Sequence, residues 1–202
     1  MTRVYTILIL LLSLAFGLLL LIGRSQPFAL PGLMALLPPA DCPAPCLLRV
    51  RVGSDSLAEA TPLIEQHEWV RNTVVVKPIN DASTTLLYWN WSGQQPGSVQ
   101  GDWMGYLRTY HGRSTGVRIR TTLRYGDVWL ALGGTRLGTI IPASGQANRA
   151  LSYIAVFPEP SLLVWATVPR NFSRDQLWHT LVEIESVNPQ AIAYFAGYQL
   201  PR

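Results

Sequence analysis

Cys42 and Cys46, the histidines His67, His111 and His179, and Ser114 are the side chains of this 202-residue chain best suited to nucleophilic, acid–base or metal chemistry. His111 lies in Tyr110-His111-Gly112-Arg113, a turn-like setting, and Ser114 follows closely enough to be cast as a nucleophile with His111 as its base. That chemistry needs a third group to orient the imidazole, and the neighbouring sequence offers none. His67 is expected as a packed or boundary residue on a helix face, and His179, after Trp178, as a surface or boundary residue of an amphipathic helix. Glu183 and Glu185, read as part of that same helix, point to different faces and make no ready carboxylate pair. H-E-x-x-H, Walker A and dinucleotide-binding patterns do not occur. The sequence therefore assigns no catalytic residue, no metal ligand and no cofactor.

The cysteines stand in Asp41-Cys42-Pro43-Ala44-Pro45-Cys46, where two prolines stiffen the loop between them. A structural disulfide in an oxidising compartment is the expectation. A reactive thiol pair, with C-x3-C in place of the thioredoxin C-x-x-C, and a metal site needing further ligands are the alternatives.

Binding chemistry is better represented than catalysis. Arg108, Arg113, Arg118, Arg120, Arg124, Arg136 and Arg149 follow one another with only Asp127 among them. On a strand from Val117 to Leu123, Arg118, Arg120 and Thr122 share one face. That face is either solvated or a contact for anionic lipid headgroups or an acidic partner. Upstream, Trp89 and Trp91, then Trp103 and Tyr106, gather rings near glycine-containing turns. Core packing and cross-strand pairing account for such clusters, and a carbohydrate- or peptide-binding surface is the functional alternative. The candidate binding residues are thus Arg118, Arg120, Trp89, Trp91, Trp103, Tyr106 and His111.

What must position them begins with an anchor. Arg3 precedes an apolar run from Val4 to Ile22, closed by Gly23 and Arg24. At about 1.5 Å per helical residue the run can cross a hydrocarbon core of about 30 Å. Residues 1–24 are read as a transmembrane signal anchor, with a cleaved signal peptide as the alternative, although no small-x-small site follows the run. Residues 25–40 form a proline-containing apolar linker that lies at the headgroups or packs under the domain. With the cysteines, this places the domain 41–202 on the extracytoplasmic side of a cell membrane as a single-pass protein, where nucleic acid is not an expected partner. The net charge of +4 is carried almost entirely by arginine, Lys77 being the one lysine, and is no binding signal by itself.

Within 41–202 two halves, 41–100 and 101–202, offer the same order. In the first, strand Leu47 to Val52 leads to a helix capped by Ser56 and Glu59 at S-x-x-E spacing, with Thr61 capping Pro62 as the alternative start. Strands over Asn72 to Lys77 and Thr84 to Trp91 follow. In the second, strand Val117 to Leu123 precedes a short helix with Asp127 as N-cap and Gly133 past its end. Strands at Leu137 to Ile141, Leu151 to Phe157 and Leu162 to Val168, a helix from Asn171 to Ser186 and a strand from Ala191 to Tyr198 complete the reading. The fold class is α+β: an N-terminal transmembrane helix, then an antiparallel sheet with two or three helices on one face.

Cys42-x-x-Pro45-Cys46, Val52-Gly53, Ser56, Glu59-Ala60, Trp69-Val70, Leu123-x-x-Gly126-Asp127-Val128 and Val156-Phe157-Pro158 resemble an uncharacterised family of anchored extracytoplasmic proteins from bacteria of the Chloroflexota type. That resemblance brings no activity with it. More distantly, the repeated order of glycine, capped helix and strands is similar to the helix-plus-sheet module of the outer-membrane assembly lipoprotein BamE and of β-lactamase inhibitor protein. It implies two BamE-like repeats and protein binding through the sheet or its loops, although no lipobox is present. The function expected is a non-enzymatic binding or assembly module for another envelope protein, with a cell-envelope hydrolase built around His111 as the alternative.

Overall fold

The structure, a computed structural model, describes residues 5, 9, 11–18, 30–39, 41–78, 81–143 and 149–197. Residues 11–18 are helical, and no described helix is long and apolar enough to cross a membrane. Most of the rest of the expected spanning run 4–22 lies outside the described residues.

Strict alternation builds the central strand. In β6 (Arg113–Arg124), Val117, Ile119, Thr121 and Leu123 are buried, while Arg118 and Arg120 are half-buried and Thr122 and Arg124 exposed. A period of two puts the first set on one face of a sheet and the second on the other. The remaining strands of this sheet are β3 (Val70–Val76), β4 (Thr84–Trp91), β5 (Gly105–Tyr110), β7 (Gly138–Pro142), β8 (Ala150–Phe157), β9 (Leu162–Pro169) and β10 (Leu181–Val187). Their order is β3-β4-β5-β6-β10-β9-β8-β7, and every neighbouring pair is antiparallel. Two four-stranded meanders thus meet edge to edge along β6 and β10. A separate two-stranded hairpin, β1 (Cys46–Leu47) with β2 (Val50–Arg51), precedes them, and Cys42 and Cys46 form a disulfide at its base.

One face carries the main core. Leu87 and Trp89 of β4, Leu107 of β5, Ile119 of β6, Val164 of β9 and Ile184 of β10 pack there. Covering them are α1 (Pro31–Met34), α2 (Leu57–Glu65), α3 (Tyr125–Ala131) and α4 (Arg174–His179), which contribute Leu33, Ile64, Val128 and Leu177. Leu33 and Leu36 are each 1% exposed, so the linker stretch around them packs under the domain. Ser98 Oγ donates to the Gly32 carbonyl at 2.8 Å and holds that segment in place. The start of α2 is the capping box: Ser56 Oγ accepts from the Glu59 amide, and the Glu59 carboxylate accepts from the Ser56 amide. Pro62 lies inside this helix, and Thr61 turns its hydroxyl back to the Leu57 carbonyl rather than capping.

Among the described residues, the opposite face is covered at one end only. Ile154, Val156, Leu163 and Val187 form a second, smaller cluster under Ile192 and Phe195 of α5 (Pro189–Ala196). Against the two or three helices expected on one face, four, α1 to α4, lie there and α5 lies on the other. The segment expected as a last strand, Ala191 to Tyr198, is instead mostly this helix. Asn188 accepts from the Ala191 amide as N-cap and Pro189 supplies N1, a start signal stronger than the residues' strand tendency.

A second correction concerns Asn171 to Ser186. The helix runs only over Arg174–His179, with Ser173 and Gln176 as a reciprocal capping box; Thr180 is extended and β10 follows. Leu177, Leu181 and Ile184 suit a helical face, but Val182, Ile184 and Ser186 also alternate with Glu183 and Glu185, and tertiary pairing with β6 and β9 selects the strand. Asp127 lies in the first turn of α3 rather than at its N-cap, which is Arg124, while Gly133 does sit past the end with φ 79°.

Gly105 opens β5 against Trp89, where an added Cβ would come 2.4 Å from the indole carbons. Gly105→Ala is expected to destabilise the fold by about 1–3 kcal/mol in denaturant unfolding followed by tryptophan fluorescence. Gly97→Ala, where a Cβ meets nothing within 4 Å, serves as the control and should change little.

Candidate binding surface on the open half of the sheet

Beyond α5, no helix among the described residues covers the second face of the sheet over β3 to β6. Period-two alternation and register bring Val74 and Val76 of β3, Leu86 and Tyr88 of β4, Tyr106, Arg108 and Tyr110 of β5, and Arg118 and Arg120 of β6 to this side. Val74, Val76 and Tyr110 are exposed, whereas Leu86, Tyr88 and Tyr106 are half-buried among neighbours.

At the seam between the meanders, Glu185 stands opposite Arg118 and Glu183 opposite Arg120. Arg118 donates to Glu185 Oε2 from Nη2 at 2.7 Å and from Nε at 3.1 Å, a fork that suits a planar guanidinium. Arg108 Nη2 reaches Glu185 Oε1 at 2.9 Å, so both carboxylate oxygens are engaged. Arg120 Nε donates to Glu183 Oε1 at 3.0 Å, and Arg118 Nη1 lies 3.4 Å from Glu183 Oε2. Gly116 makes room for this cluster, since a Cβ there would sit 2.5 Å from Glu185 Oε1.

Aromatic rings close the cluster from above. The Arg118 guanidinium lies 3.9 Å from the Trp165 ring centroid and 5.6 Å from that of Tyr106, and Arg120 lies 3.7 Å from Trp103. Glu185 is fully buried, and the Arg118 side chain is 15% exposed. Burial works against the charged form of Arg118, but Glu185 outweighs it with help from Tyr106 and Glu183, and its pKa is raised. Burial pushes the Tyr106 phenol up to about 12, with Arg118 pulling the other way. A depression of about 260 Å³ beside the cluster is lined by Gln100, Arg120, Trp165, Thr167, Thr180 and Glu183.

Of the residues expected to bind, Arg118, Arg120, Trp103 and Tyr106 come together here. The arginines are not a bare solvated row: each is held by a glutamate from β10, and one positive charge remains in excess across Arg108, Arg118 and Arg120. Trp89 and Trp91 lie on the opposite face, 1% and 5% exposed, packed edge to face in the core. Trp91 Nε1 donates to the Trp103 carbonyl at 2.6 Å, tying the core to the loop that carries Trp103.

His111 occupies the exposed β5–β6 turn at φ 49°, with its ring 4.3 Å from that of Tyr110. Ser114 is buried, donating to the Arg51 carbonyl at 3.2 Å and accepting from the Gly53 amide, so it does not face His111 as a nucleophile. His67 ends the turn after α2, accepting from the Trp69 amide at Nδ1, and burial lowers its pKa. His179 lies exposed beside Asp175 and Arg124. No group of three or more metal-ligating side chains occurs among the described residues.

Sequence reading missed Glu183, Glu185, Arg108, Trp165 and Gly116 as parts of one site. The alternation from Val182 to Val187 was the available signal for the glutamates. No family model, no curated protein and no solved structure matches the chain.

Glu185→Ala leaves Arg108 and Arg118 facing a buried void and is expected to cost about 3–5 kcal/mol in unfolding free energy. Alkaline titration offers an independent check. The Tyr106 phenol is neutral in both states below pH 10; above it the unfolded chain ionises first, so stability falls as pH rises from about 10 to about 12. In Tyr106→Phe that part of the loss should disappear.

Proposed function

We propose that this chain is a membrane-anchored, extracytoplasmic binding module that holds another envelope protein against the open half of its sheet. The run 4–22 supplies the anchor in this reading, and the Cys42–Cys46 disulfide suits an oxidising compartment outside the cytoplasm. The observation that carries the proposal is the unevenness of the second face: α5 covers β7 and β8, while Leu86, Tyr88, Tyr106 and Tyr110 are left around a fixed arginine–glutamate cluster. Rigid aromatic side chains beside pre-paired charges bind at little entropic cost.

A BamE-like duplication is part of the same reading. Its support is the order of elements, α2 then β3 to β6, and α3 then β7 to β10, although α4 interrupts the second unit before β10 and the units divide after β6 rather than between residues 100 and 101. Anionic headgroups are the weaker partner, because Glu183 and Glu185 already neutralise most of the arginine charge. Nothing about His111 favours the hydrolase alternative, since among the described residues neither acid nor nucleophile meets its ring.

The test is cross-linking and capture from envelope membranes with the full chain as bait. The wild type should recover a specific envelope protein, and the double variant Tyr88→Ala with Tyr110→Ala should recover it at least about tenfold less while unfolding at an unchanged denaturant midpoint. Equal recovery by the variant contradicts the proposed surface. Binding to anionic vesicles without a protein partner would replace it with the headgroup reading.

A further inference from the structure

The two edges of the sheet are unequally protected. At one edge β7 has five residues and ends at Pro142, which has no amide to offer a further strand. At the other, β3 runs for seven residues without proline. A bulge between Val70 and Asn72 disturbs its start, but Val74, Val75 and Val76 follow at 50%, 51% and 41% exposure. β-branched residues with unpaired backbone groups are the usual template for another strand.

The charges around β3 identify which strand. Glu65 and Glu68 lie before it and Lys77 directly after it, all exposed. An antiparallel copy of the same edge sets the basic end of each strand against the acidic end of the other, twice by symmetry. A two-fold axis normal to the sheet must pass through a residue, because opposed side chains in an antiparallel pair share a face. Centring on Val74 would oppose Arg71 to Lys77, two like charges. Centring on Thr73 instead opposes Arg71 to Val75 and sets Lys77 beside Trp69 and Glu68 of the second copy.

We propose that β3 is a homodimerisation edge, pairing antiparallel with β3 of a second copy about Thr73 and joining the two eight-stranded sheets into one. Glu65, whose carboxylate accepts from Thr73 Oγ1 at 2.7 Å, approaches its own symmetry mate near the axis and is the contact that opposes pairing. This interface does not depend on the partner surface proposed above, because it uses the backbone edge of β3 rather than the tyrosine-lined face of β4 and β5.

Sedimentation equilibrium of the full chain in mild detergent, combined with hydrogen exchange, tests it. Wild type should associate as a dimer, with amide protection over residues 70–76 that rises with protein concentration. Lys77→Glu should weaken the dimer about tenfold or more, and adding Glu68→Lys to it should restore affinity; Glu65→Gln should tighten it. All three sites are exposed, so folding is not at stake. A monomer at every soluble concentration overturns the proposal. So does a dimer indifferent to the charge swap with no concentration-dependent protection in β3, which would place association elsewhere, for example in the apolar N-terminal run.

Discussion

A carboxylate with no solvent exposure must be matched by donors from its own fold, and Glu185 sets that requirement at the centre of this sheet. It lies on β10, where the two meanders meet, so its partners have to come from across the seam. Arg118 provides the fork and Arg108, one strand further on, takes the other oxygen. Gly116 is the consequence: the residue opposite Arg108 on β6 must leave the space that Glu185 fills. Trp165 then covers Arg118 and restricts water at the cluster. Burying charge in this way gives little stability relative to apolar packing, but mispairing it is costly, and that fixes the register of β6 against β10.

Register at the seam controls what the rest of the second face looks like. A slip by one residue would turn one strand over against the other, sending either Val117 and Ile119 of β6 or Ile184 of β10 out of the main core and that strand's charged residues into it. With the register held, Tyr106 sits beside Arg118, Tyr88 packs on Tyr106 at 5.7 Å, and the side chains continue toward the β3 edge. On the other side of the seam α5 performs for β7 and β8 the covering that β3 to β6 lack.

Much of the architecture was legible in local sequence signals. The S-x-x-E spacing marked the start of α2, the alternation Val117 to Leu123 marked β6 and its arginine face, and the C-x3-C loop marked the disulfide. The functional grouping was less legible because it is non-local. Glu183 and Glu185 lie more than sixty residues from Arg118 and Arg120, and their meeting depends on a strand that a helical spacing at Leu177, Leu181 and Ile184 concealed. For Trp89 and Trp91 the core-packing reading holds and the binding-surface alternative does not, because the pleat turns both inward and leaves Trp103 over Arg120. Asn188 and Pro189 carried a helix-start signal that outweighed the strand-like composition after them.

The central claim is that the Arg118–Glu185 pair locks the two meanders together. A double-mutant cycle on Arg118→Met and Glu185→Gln, read by equilibrium unfolding, measures that lock directly. The account predicts a coupling free energy of about 1–3 kcal/mol, with the double variant more stable than the sum of the single losses implies. Additive losses, with no coupling beyond experimental error, would contradict it.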